Sequence, residues 1–348
     1  MSRTDFKSKI LNRNQTGLFG FTSEGDVLFI RSHDSLQALD IISGRVIWNV
    51  QFEGDNIFGF KSIYLDNKSN VIVSVTDAQN NFYLQLLDSK TGNAVWRIPL
   101  GWSIHNNYGG ILLGDEKIYF FEKGEEFYIK CISTLDGSEI MKNDTVEIKP
   151  SGKFQSKNKT TFLVKNYIFA QGKKHLIRFD LTDLSYSIVD DFYCNQFYAT
   201  NTYLARINEN SKSILISSIE EIDRVIGRIA LPNQEEVISV NHFKIKNQDY
   251  LILRFSNSFR LALINIQKLE VVGLIDLPEY PIDCIYVDGK LAILCYTDEG
   301  NPIKMYDLEE NEIVLNSDKG IIRGGLYNYE NGFVFTSMNG LEMYNTKK

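Results

Sequence analysis

Residues 38–48 read ALDIISGRVIW, and residues 86–96 read LLDSKTGNAVW. In each stretch apolar residues run into an aspartate, a glycine follows four positions later, and a tryptophan stands eight positions after the aspartate. The pattern predicts a strand, a tight turn and a returning strand, because glycine tolerates the positive φ that such a turn requires. The copies start 48 residues apart, at Ala38 and Leu86. A repeat period of about 40 to 50 residues is typical of proteins built from repeated β-sheets.

The repeat extends along the whole chain when the aspartate is taken as its anchor. Eight anchor positions, each Asp, Asn or Ser, follow one another at similar spacing: Asp40, Asp88, Ser133, Asp180, Ser218, Asn265, Asp307 and Asn345. They span 305 residues in seven steps, or about 44 residues per step, which matches a four-stranded propeller blade. We therefore predict an all-β, eight-bladed β-propeller of four-stranded antiparallel blades, forming one domain over residues 1–348, with seven blades as the alternative.

Two further positions of the repeat carry expectations about packing. The position eight residues after each anchor is mostly large and apolar, and we expect it to face a neighbouring blade: Trp48, Trp96, Met141, Ile188, Ile226, Gly273 and Leu315. The position four residues after the anchor is glycine in the first three repeats, at Gly44, Gly92 and Gly137. Later repeats replace this glycine, so we expect their turns to differ: Leu184, Ile222, Leu269 and Asn311.

The two ends of the chain predict how the ring closes. The eighth unit reaches its anchor at Asn345 and has only three residues left, so it lacks a fourth strand. Residues 5–11, DFKSKIL, are strand-like and precede the first unit. We expect this N-terminal strand to complete the last blade, since closure removes an exposed sheet edge.

Composition narrows the class of protein. Hydrophobic residues make up 43% and charged residues 23% of the 348, as in globular domains. The net charge of −7 has the wrong sign for phosphate binding, so we expect no nucleic-acid partner. The N-terminus has no apolar signal region, and no stretch is long and apolar enough to span a membrane. The four cysteines show no CxxC spacing, so we expect reduced thiols and a cytoplasmic location.

The segments ALDIISGRVIW and LLDSKTGNAVW resemble the pyrroloquinoline-quinone-type repeat, whose consensus is roughly Ala-x-Asp-x-x-Thr-Gly-x-x-x-Trp. The resemblance implies an eight-bladed propeller in which the repeat tryptophan docks against the adjacent blade. It therefore implies structural roles for six residues: Trp48, Trp96, Asp40, Asp88, Gly44 and Gly92.

The resemblance covers two functional classes, quinone-dependent dehydrogenases and non-catalytic binding propellers. The enzymes carry a calcium site, a pair of adjacent cysteines and a tryptophan beneath the cofactor. This chain has no adjacent cysteines and only three tryptophans, two of them in the repeats. We therefore place it in the non-catalytic branch and expect no cofactor, no metal and no catalytic residue. The four histidines are consistent with the absence of a metal site, because they form no HxH or HxxxH pair: His33, His105, His175 and His242.

Aromatic and histidine residues on the connections between strands indicate the binding surface. Such side chains are common at the energetic centres of protein interfaces. We predict a partner-binding role for six of them: Trp102, His105, Tyr280, His33, Phe192 and Tyr193.

The function that follows is binding of a protein partner with a basic surface, by a chain that is monomeric when free. A narrower hypothesis is an immunity or inhibitor protein that caps a toxin. Two alternatives remain open at this point. One is a metal-dependent propeller enzyme, lactonase-like or lyase-like, with its site on the central axis, and the other is a sensor of a small ligand.

Overall fold

The computed structural model of the chain describes residues 7–8, 20–24, 26–31, 35–40, 43–52, 56–57, 63–65, 70–77, 79, 81–100, 111–123, 127–146, 161–171, 175–190, 196–208, 212–231, 236–297, 300–316, 326–329, 332–337 and 340–345. The regular secondary structure of these residues is entirely β. No helix within them is long and apolar enough to cross a bilayer.

The described strands form eight antiparallel sheets, the blades, which follow one another in chain order. A short strand, β1 (Lys7–Ser8), precedes them. Blades 1 to 4 have these strands: β2 (Gly20–Glu24), β3 (Val27–Arg31), β4 (Ser35–Asp40) and β5 (Val46–Gln51) in blade 1; β6 (Asn56–Ile57), β7 (Ile63–Leu65), β8 (Val71–Thr76), β9 (Phe82–Leu87) and β10 (Ala94–Leu100) in blade 2; β11 (Ile111–Gly114), β12 (Lys117–Lys123), β13 (Phe127–Ser133) and β14 (Glu139–Val146) in blade 3; β15 (Thr161–Val164), β16 (Tyr167–Gln171), β17 (Leu176–Asp180) and β18 (Tyr186–Asp190) in blade 4.

The remaining blades repeat the same plan. Their strands are β19 (Gln196–Ala199), β20 (Tyr203–Asn208), β21 (Ser213–Ser218) and β22 (Val225–Ala230) in blade 5; β23 (Val237–Ile245), β24 (Gln248–Phe255), β25 (Arg260–Asn265) and β26 (Glu270–Asp276) in blade 6; β27 (Tyr280–Val287), β28 (Lys290–Tyr296), β29 (Ile303–Asp307) and β30 (Glu312–Asn316) in blade 7; β31 (Tyr327–Tyr329), β32 (Gly332–Ser337) and β33 (Gly340–Asn345) in blade 8, joined there by β1. In blade 2, β6 and β7 share the innermost position, since both pair with β8.

The ring closes through the N-terminal strand. Strand β1 pairs antiparallel with β33, with Lys7 opposite Met343 and Ser8 opposite Glu342. The innermost strands β31 and β2 lie against each other where blade 8 meets blade 1. The prediction of an eight-bladed propeller closed by the N-terminal strand is therefore confirmed, and the seven-blade alternative is set aside.

Apolar clusters fill the space between consecutive blades. Between blades 1 and 2, for example, Phe29, Ala38 and Trp48 pack against Val71 and Val73. Comparable clusters lie at the six following junctions, from blades 2 and 3 to blades 7 and 8. Since each fully buried large apolar side chain contributes about 1.5–3 kcal/mol, these junctions hold the ring together.

Most outer strands contain a β-bulge at the same place. In six blades one residue near the start of the outer strand has no partner on the third strand. Each bulge residue is β-branched and between 39% and 51% exposed: Ile47, Val95, Ile140, Ile226, Val272 and Val314. Bulges twist an edge strand and interrupt its pairing. Blade 4 differs, because its bulge lies at Val189, near the far end of β18.

The position of the bulge explains why the residue eight positions after the anchor does not face the neighbouring blade in every repeat. In blades 1 and 2 the bulge turns Trp48 and Trp96 toward the next blade. In blade 5 the turn is one residue longer, so Gly227 takes that place and Ile226 is the exposed bulge residue. In blade 4 the bulge is absent there, and Ile188 is 53% exposed.

The turns between third and fourth strands are more alike than the sequence indicates. Leu184, Leu269 and Asn311 have φ of 59°, 56° and 58°, close to the 74° of Gly92. The amide of Leu184 donates to Asp180 O at 2.8 Å, as the amide of Gly92 does to Asp88 O. The expectation that these three turns differ is therefore wrong for their backbone conformation, although the amide of Leu269 donates to Ile266 O at 3.3 Å. Of the four later turns compared, the one with Ile222 is longer.

The bulky side chain at a blade junction can come from either of the two blades. This explains why Leu184 and Leu269 occupy turn positions that hold glycine in the first three repeats. A Cβ on Gly92 would lie 2.9 Å from the ring of Trp48, so only glycine fits below the indole. At the junction of blades 5 and 6 the glycine and the bulky residue change places. Gly227 is on the outer strand, and Leu269 in the turn of the next blade fills the space beside it. A Cβ added to Gly227 would lie 2.9 Å from Leu269 Cγ. A left-handed leucine costs about 1–2 kcal/mol, and burial of Leu184, which is 0% exposed, offsets this.

Candidate functional site

The propeller has two chemically different faces. Because all four strands of a blade are antiparallel, the connection between strands two and three and the connection to the next blade emerge on the same face. We call this the loop face. The turns between strands one and two and between strands three and four lie on the opposite face, which we call the turn face.

Three aromatic side chains meet on the loop face where blades 6 and 7 adjoin. Phe259 precedes β25, Tyr280 begins β27, and Tyr296 ends β28 directly opposite Tyr280. The rings of Phe259 and Tyr280 are 6.3 Å apart, edge to face at 88°. Phe259 is 55% and Tyr296 53% exposed, although both are large hydrophobic residues. We call these three residues the aromatic platform.

Hydrogen bonds from both blades fix the platform's backbone. The amide of Leu277, between β26 and β27, donates to Phe259 O at 2.8 Å and so joins the two loops. The guanidinium of Arg254 on β24 donates to the carbonyls of Pro281, at 3.3 Å, and of Ile282. The backbone that carries Phe259 and Tyr280 is therefore held in place before any partner arrives, which lowers the entropy lost on binding.

Two ion pairs lie beside the platform. Lys304 Nζ lies 2.9 Å from Glu279 Oε2, and the lysine side chain is 3% exposed. Arg260 Nε lies 2.5 Å from Asp276 Oδ1 at the surface. These pairs compensate the charges of Glu279 and Asp276, and the exposed aromatic side chains next to them suit contact with another protein's apolar or aromatic groups.

A cysteine lies beneath the platform in an environment unsuited to catalysis. Burial, together with the nearby charge of Glu279, raises the pKa of Cys295 to about 12. Its thiol is therefore protonated at neutral pH, whereas nucleophilic cysteines react as thiolates. Cys131 is likewise a buried free thiol whose pKa is raised by burial.

Of the residues predicted to bind a partner, the described part of the chain contains Tyr280. The other five lie outside the described residues: Trp102, His105, His33, Phe192 and Tyr193. Tyr280 is partly exposed on the loop face.

Phe259 and Tyr296 are the platform residues that the sequence analysis missed. Phe259 follows Ser256, Asn257 and Ser258, a polar run typical of a loop, and this position was the available signal. Tyr296 ends an apolar strand directly before the polar residues Thr297, Asp298 and Glu299, and this position was the available signal. The pairing of β27 with β28 then places it opposite Tyr280.

Of the residues with predicted structural roles, Trp48 and Trp96 lie at the junctions between blades 1 and 2 and between blades 2 and 3. The indole of Trp48 donates to Ser89 O at 2.7 Å, and that of Trp96 donates to Thr134 O at 2.8 Å, each in the next blade's turn. Gly44 and Gly92 have φ of 69° and 74° in their turns.

The anchor aspartates cap the same turns. Asp40 Oδ1 accepts from the amide of Ser43 at 2.6 Å. Asp88 Oδ1 accepts from the amide and the hydroxyl of Thr91, both at 2.8 Å, and these bonds lower the pKa of Asp88.

A polar cluster lies on the turn face between blades 5 and 6. His242 Nε2 is 2.7 Å from Asp249 Oδ1, and Gln267 Nε2 donates to Asp249 Oδ2 at 3.0 Å. The ring of Tyr198 lies 5.1 Å from that of His242. Burial, with a smaller effect of Asp249, raises the pKa of Tyr198 to about 12.

An aspartate can orient an imidazole for proton transfer, but catalysis also needs a nucleophile and an oxyanion site within reach. The cluster's contacts instead pair the buried Asp249 carboxylate with His242 and Gln267. Within the described ranges, no group of three or more His, Cys, Asp or Glu side chains is arranged to hold a metal ion.

Solved structures similar to this one are propellers of low sequence identity. BamB from Moraxella catarrhalis has a TM-score of 0.65 at 12% identity, over 93% of this chain and 95% of that one. Sqt1 from Saccharomyces cerevisiae has a TM-score of 0.65 at 8% identity, over 97% and 98%. The dihydro-heme d1 dehydrogenase NirN, solved in complex with DHE, has a TM-score of 0.63 at 12% identity, over 86% of this chain and 65% of that one.

No protein-family model and no curated protein sequence matches the chain. At these identities the structural likeness supports the propeller fold alone.

Proposed function

We propose that this chain is a non-catalytic protein-binding propeller that contacts its partner through the aromatic platform of blades 6 and 7. The observation that carries the proposal is the exposure of Phe259 and Tyr296, at 55% and 53%, on a backbone fixed from both blades. Rigid aromatic side chains at low entropic cost are the usual centres of binding energy at protein interfaces.

Charge supports a partner with a basic surface. The chain carries −7 overall, and beside the platform Lys304 pairs with Glu279 and Arg260 pairs with Asp276. Long-range attraction would therefore steer a basic protein toward the propeller, and the apolar platform would supply the affinity. We include in the proposal a cytoplasmic inhibitor, or immunity protein, that is monomeric when free and caps a basic toxin by covering its active surface.

The test compares platform variants with a matched surface control. The partner offered is the purified product of a neighbouring gene, and binding is measured by calorimetry. Phe259→Ala and Tyr296→Ala should each weaken binding by about 30-fold, which corresponds to about 2 kcal/mol for a central interface residue. The control is Val272→Ala, because Val272 is 40% exposed on the rim of the same blade, and it should bind like the parent chain.

Two results would overturn the proposal. The first is that the chain neither binds nor inhibits the neighbouring gene's product, and that the proteins it pulls down from its native cell are the same with and without the two platform substitutions. The other is elemental analysis of the purified protein that finds stoichiometric calcium, zinc or iron. Such a metal would favour the propeller enzyme over the binding protein.

A further inference from the structure

The junction between blades 2 and 3 has a small polar residue at a position that is large in the other blades. Ser74, on β8, is 0% exposed and pairs with Leu84, four residues before the anchor of its repeat. The residue with the same pairing in three other blades packs against the following blade, and it is apolar and buried: Phe121 in blade 3, Ile207 in blade 5 and Leu294 in blade 7. In blade 6 it is Arg254, which donates to carbonyls of blade 7. Serine is the smallest side chain at this position in the eight blades.

The residue that faces Ser74 from blade 3 is polar as well. Side chains alternate along a strand, and Phe120 on β12 packs in the apolar cluster between blades 2 and 3. Glu122, two residues later on β12, therefore faces the same junction, and it is 4% exposed. At the junction of blades 5 and 6 the equivalent positions hold Ile207 and Phe255, which lie in one apolar cluster. Ser74 and Glu122 thus stand where two apolar side chains pack together at another junction.

Two buried hydroxyl groups of β8 lack hydrogen-bond partners at this junction. Thr76 lies two residues after Ser74, and therefore on the same face of the strand, and it is 5% exposed. Among the residues that the structure describes, neither Ser74 Oγ nor Thr76 Oγ1 has a partner. Buried polar groups in native proteins are nearly always paired, so two such groups side by side indicate a ligand that both of them contact.

The backbone beside these hydroxyl groups also departs from the repeat. The inner position of blade 2 is divided between β6 and β7. Ile57 of β6 lies opposite Val75, and Ile63 of β7 lies opposite Val73. Ser74 stands between these two pairs, and neither strand pairs with it. Within the described residues, blade 2 is the one blade whose inner position is divided in this way, so the interruption and the two hydroxyl groups coincide.

The chemistry of these groups selects a small monovalent cation. Their side chains offer oxygen atoms alone, which are the ligands that hard cations prefer. Glu122 supplies one negative charge and the two hydroxyl groups are neutral, whereas sites for divalent ions commonly hold several carboxylates. Oxygen atoms without charge can replace the hydration shell of a potassium ion.

We infer that the junction of blades 2 and 3 binds a potassium or sodium ion through Ser74 Oγ, Thr76 Oγ1 and the Glu122 carboxylate. The ion joins β8 to β12 at a level where other junctions are joined by apolar side chains. Its role is structural, so it is independent of partner binding at the aromatic platform.

Thermal unfolding in potassium, sodium and choline chloride at equal ionic strength tests this inference on the parent chain. Choline carries the same charge but is too large to enter the junction. At a concentration about ten times its Kd, the bound ion should raise Tm by about 2 °C relative to choline chloride. The difference between the potassium and sodium salts identifies the ion.

Variants locate the effect. The double variant Ser74→Ala and Thr76→Val should have the same Tm in all three salts. Glu122→Gln keeps the shape of the side chain but removes its charge, so it should raise the Kd of the ion by about tenfold. The matched control is Ser217→Ala, because Ser217 is also 0% exposed but its hydroxyl accepts from Arg206 at 2.8 Å. Any loss of Tm in this control should be equal in every salt.

The position of the ion is tested separately, on the unaltered protein. Anomalous diffraction from crystals grown with thallium(I), a substitute for potassium, should show one ion bound to Ser74 Oγ and Thr76 Oγ1. The inference is overturned if Tm is the same in the three salts, if the double variant keeps the difference, or if water alone occupies the site. Tyr296→Ala should keep the full difference between salts, which separates this result from the test of partner binding.

Discussion

Replacing Gly92 by alanine isolates the packing between a turn and the neighbouring blade's tryptophan. Gly92 has φ of 74°, and an added Cβ would lie 2.9 Å from Cδ2 and Cε3 of Trp48 and from Cγ2 of Val50. Gly44 is the matched control, because its φ is 69° and nothing lies within 4 Å of an added Cβ. Gly44→Ala should therefore cost only the left-handed backbone, about 1–2 kcal/mol. Gly92→Ala should cost about 1–3 kcal/mol more through overpacking.

Thermal unfolding measures this difference. For 348 residues at about 2.1 cal/mol/K each, the unfolding entropy is about 0.7 kcal/mol/K, so each kcal/mol lowers Tm by about 1.4 °C. Gly92→Ala should melt about 1.4–4 °C below Gly44→Ala. In a Trp48→Leu background the extra loss from Gly92→Ala should shrink, because the ring is gone and the close contact that remains is with Val50 Cγ2.

Equal Tm values for the two alanine variants would refute the reasoning. So would an unchanged penalty in the Trp48→Leu background. Either result would mean that the packing of the Trp48 ring does not require a glycine in the next blade's turn. The fit between Trp48 and Gly92 would then not stabilise this junction.

Three further predictions follow the same logic. Gly227→Ala should lower Tm, since the new Cβ meets Leu269, and Leu269→Ala should restore part of that loss in the double variant, whereas additive losses would contradict the size exchange. The ion pair with Lys290, at 2.6 Å, and the amides of Glu310 and Glu309 lower the pKa of Asp307 from 3.8 to about 2, so its stabilisation is present above pH 3.8 and is lost as pH falls toward 2. Asp307→Asn should therefore unfold less steeply with acid than the parent chain between these pH values, and identical acid profiles would contradict this. Deleting residues 1–12 removes β1 and exposes the edge of β33, so Tm should fall and aggregation should rise, and an unchanged melting curve would argue against ring closure by β1.

The turns and the blade count could be predicted from the sequence because they depend on short-range chemistry. Asp88 caps its turn through Thr91, three residues away, and Gly92 supplies the positive φ. These local requirements repeat at the length of one blade, so the spacing of the anchors was enough to give eight units. The closing strand could also be predicted, because a blade with three strands leaves one edge unpaired.

The assembly of the platform and the exposure of Ile188 could not be predicted, because they depend on how separate strands pair. Tyr296, at the end of β28, is 53% exposed, and its register places it opposite Tyr280. Ile188 is exposed because the bulge of blade 4 lies two pairs further along the outer strand than the bulge of the other blades. Bulge position depends on how a whole sheet twists against the next one, which local sequence does not encode.

The period and the Asp–Gly turns of the first repeats were readable from the residues alone, because they depend on contacts within a few residues. Ring closure joins distant residues, Lys7 with Met343, and could be predicted because the last repeat is one strand short. Tertiary structure decided which side chain fills each junction. At one junction Trp48 packs over Gly92, and at another Leu269 packs over Gly227, because two blades must share a fixed volume and either blade can supply the bulk.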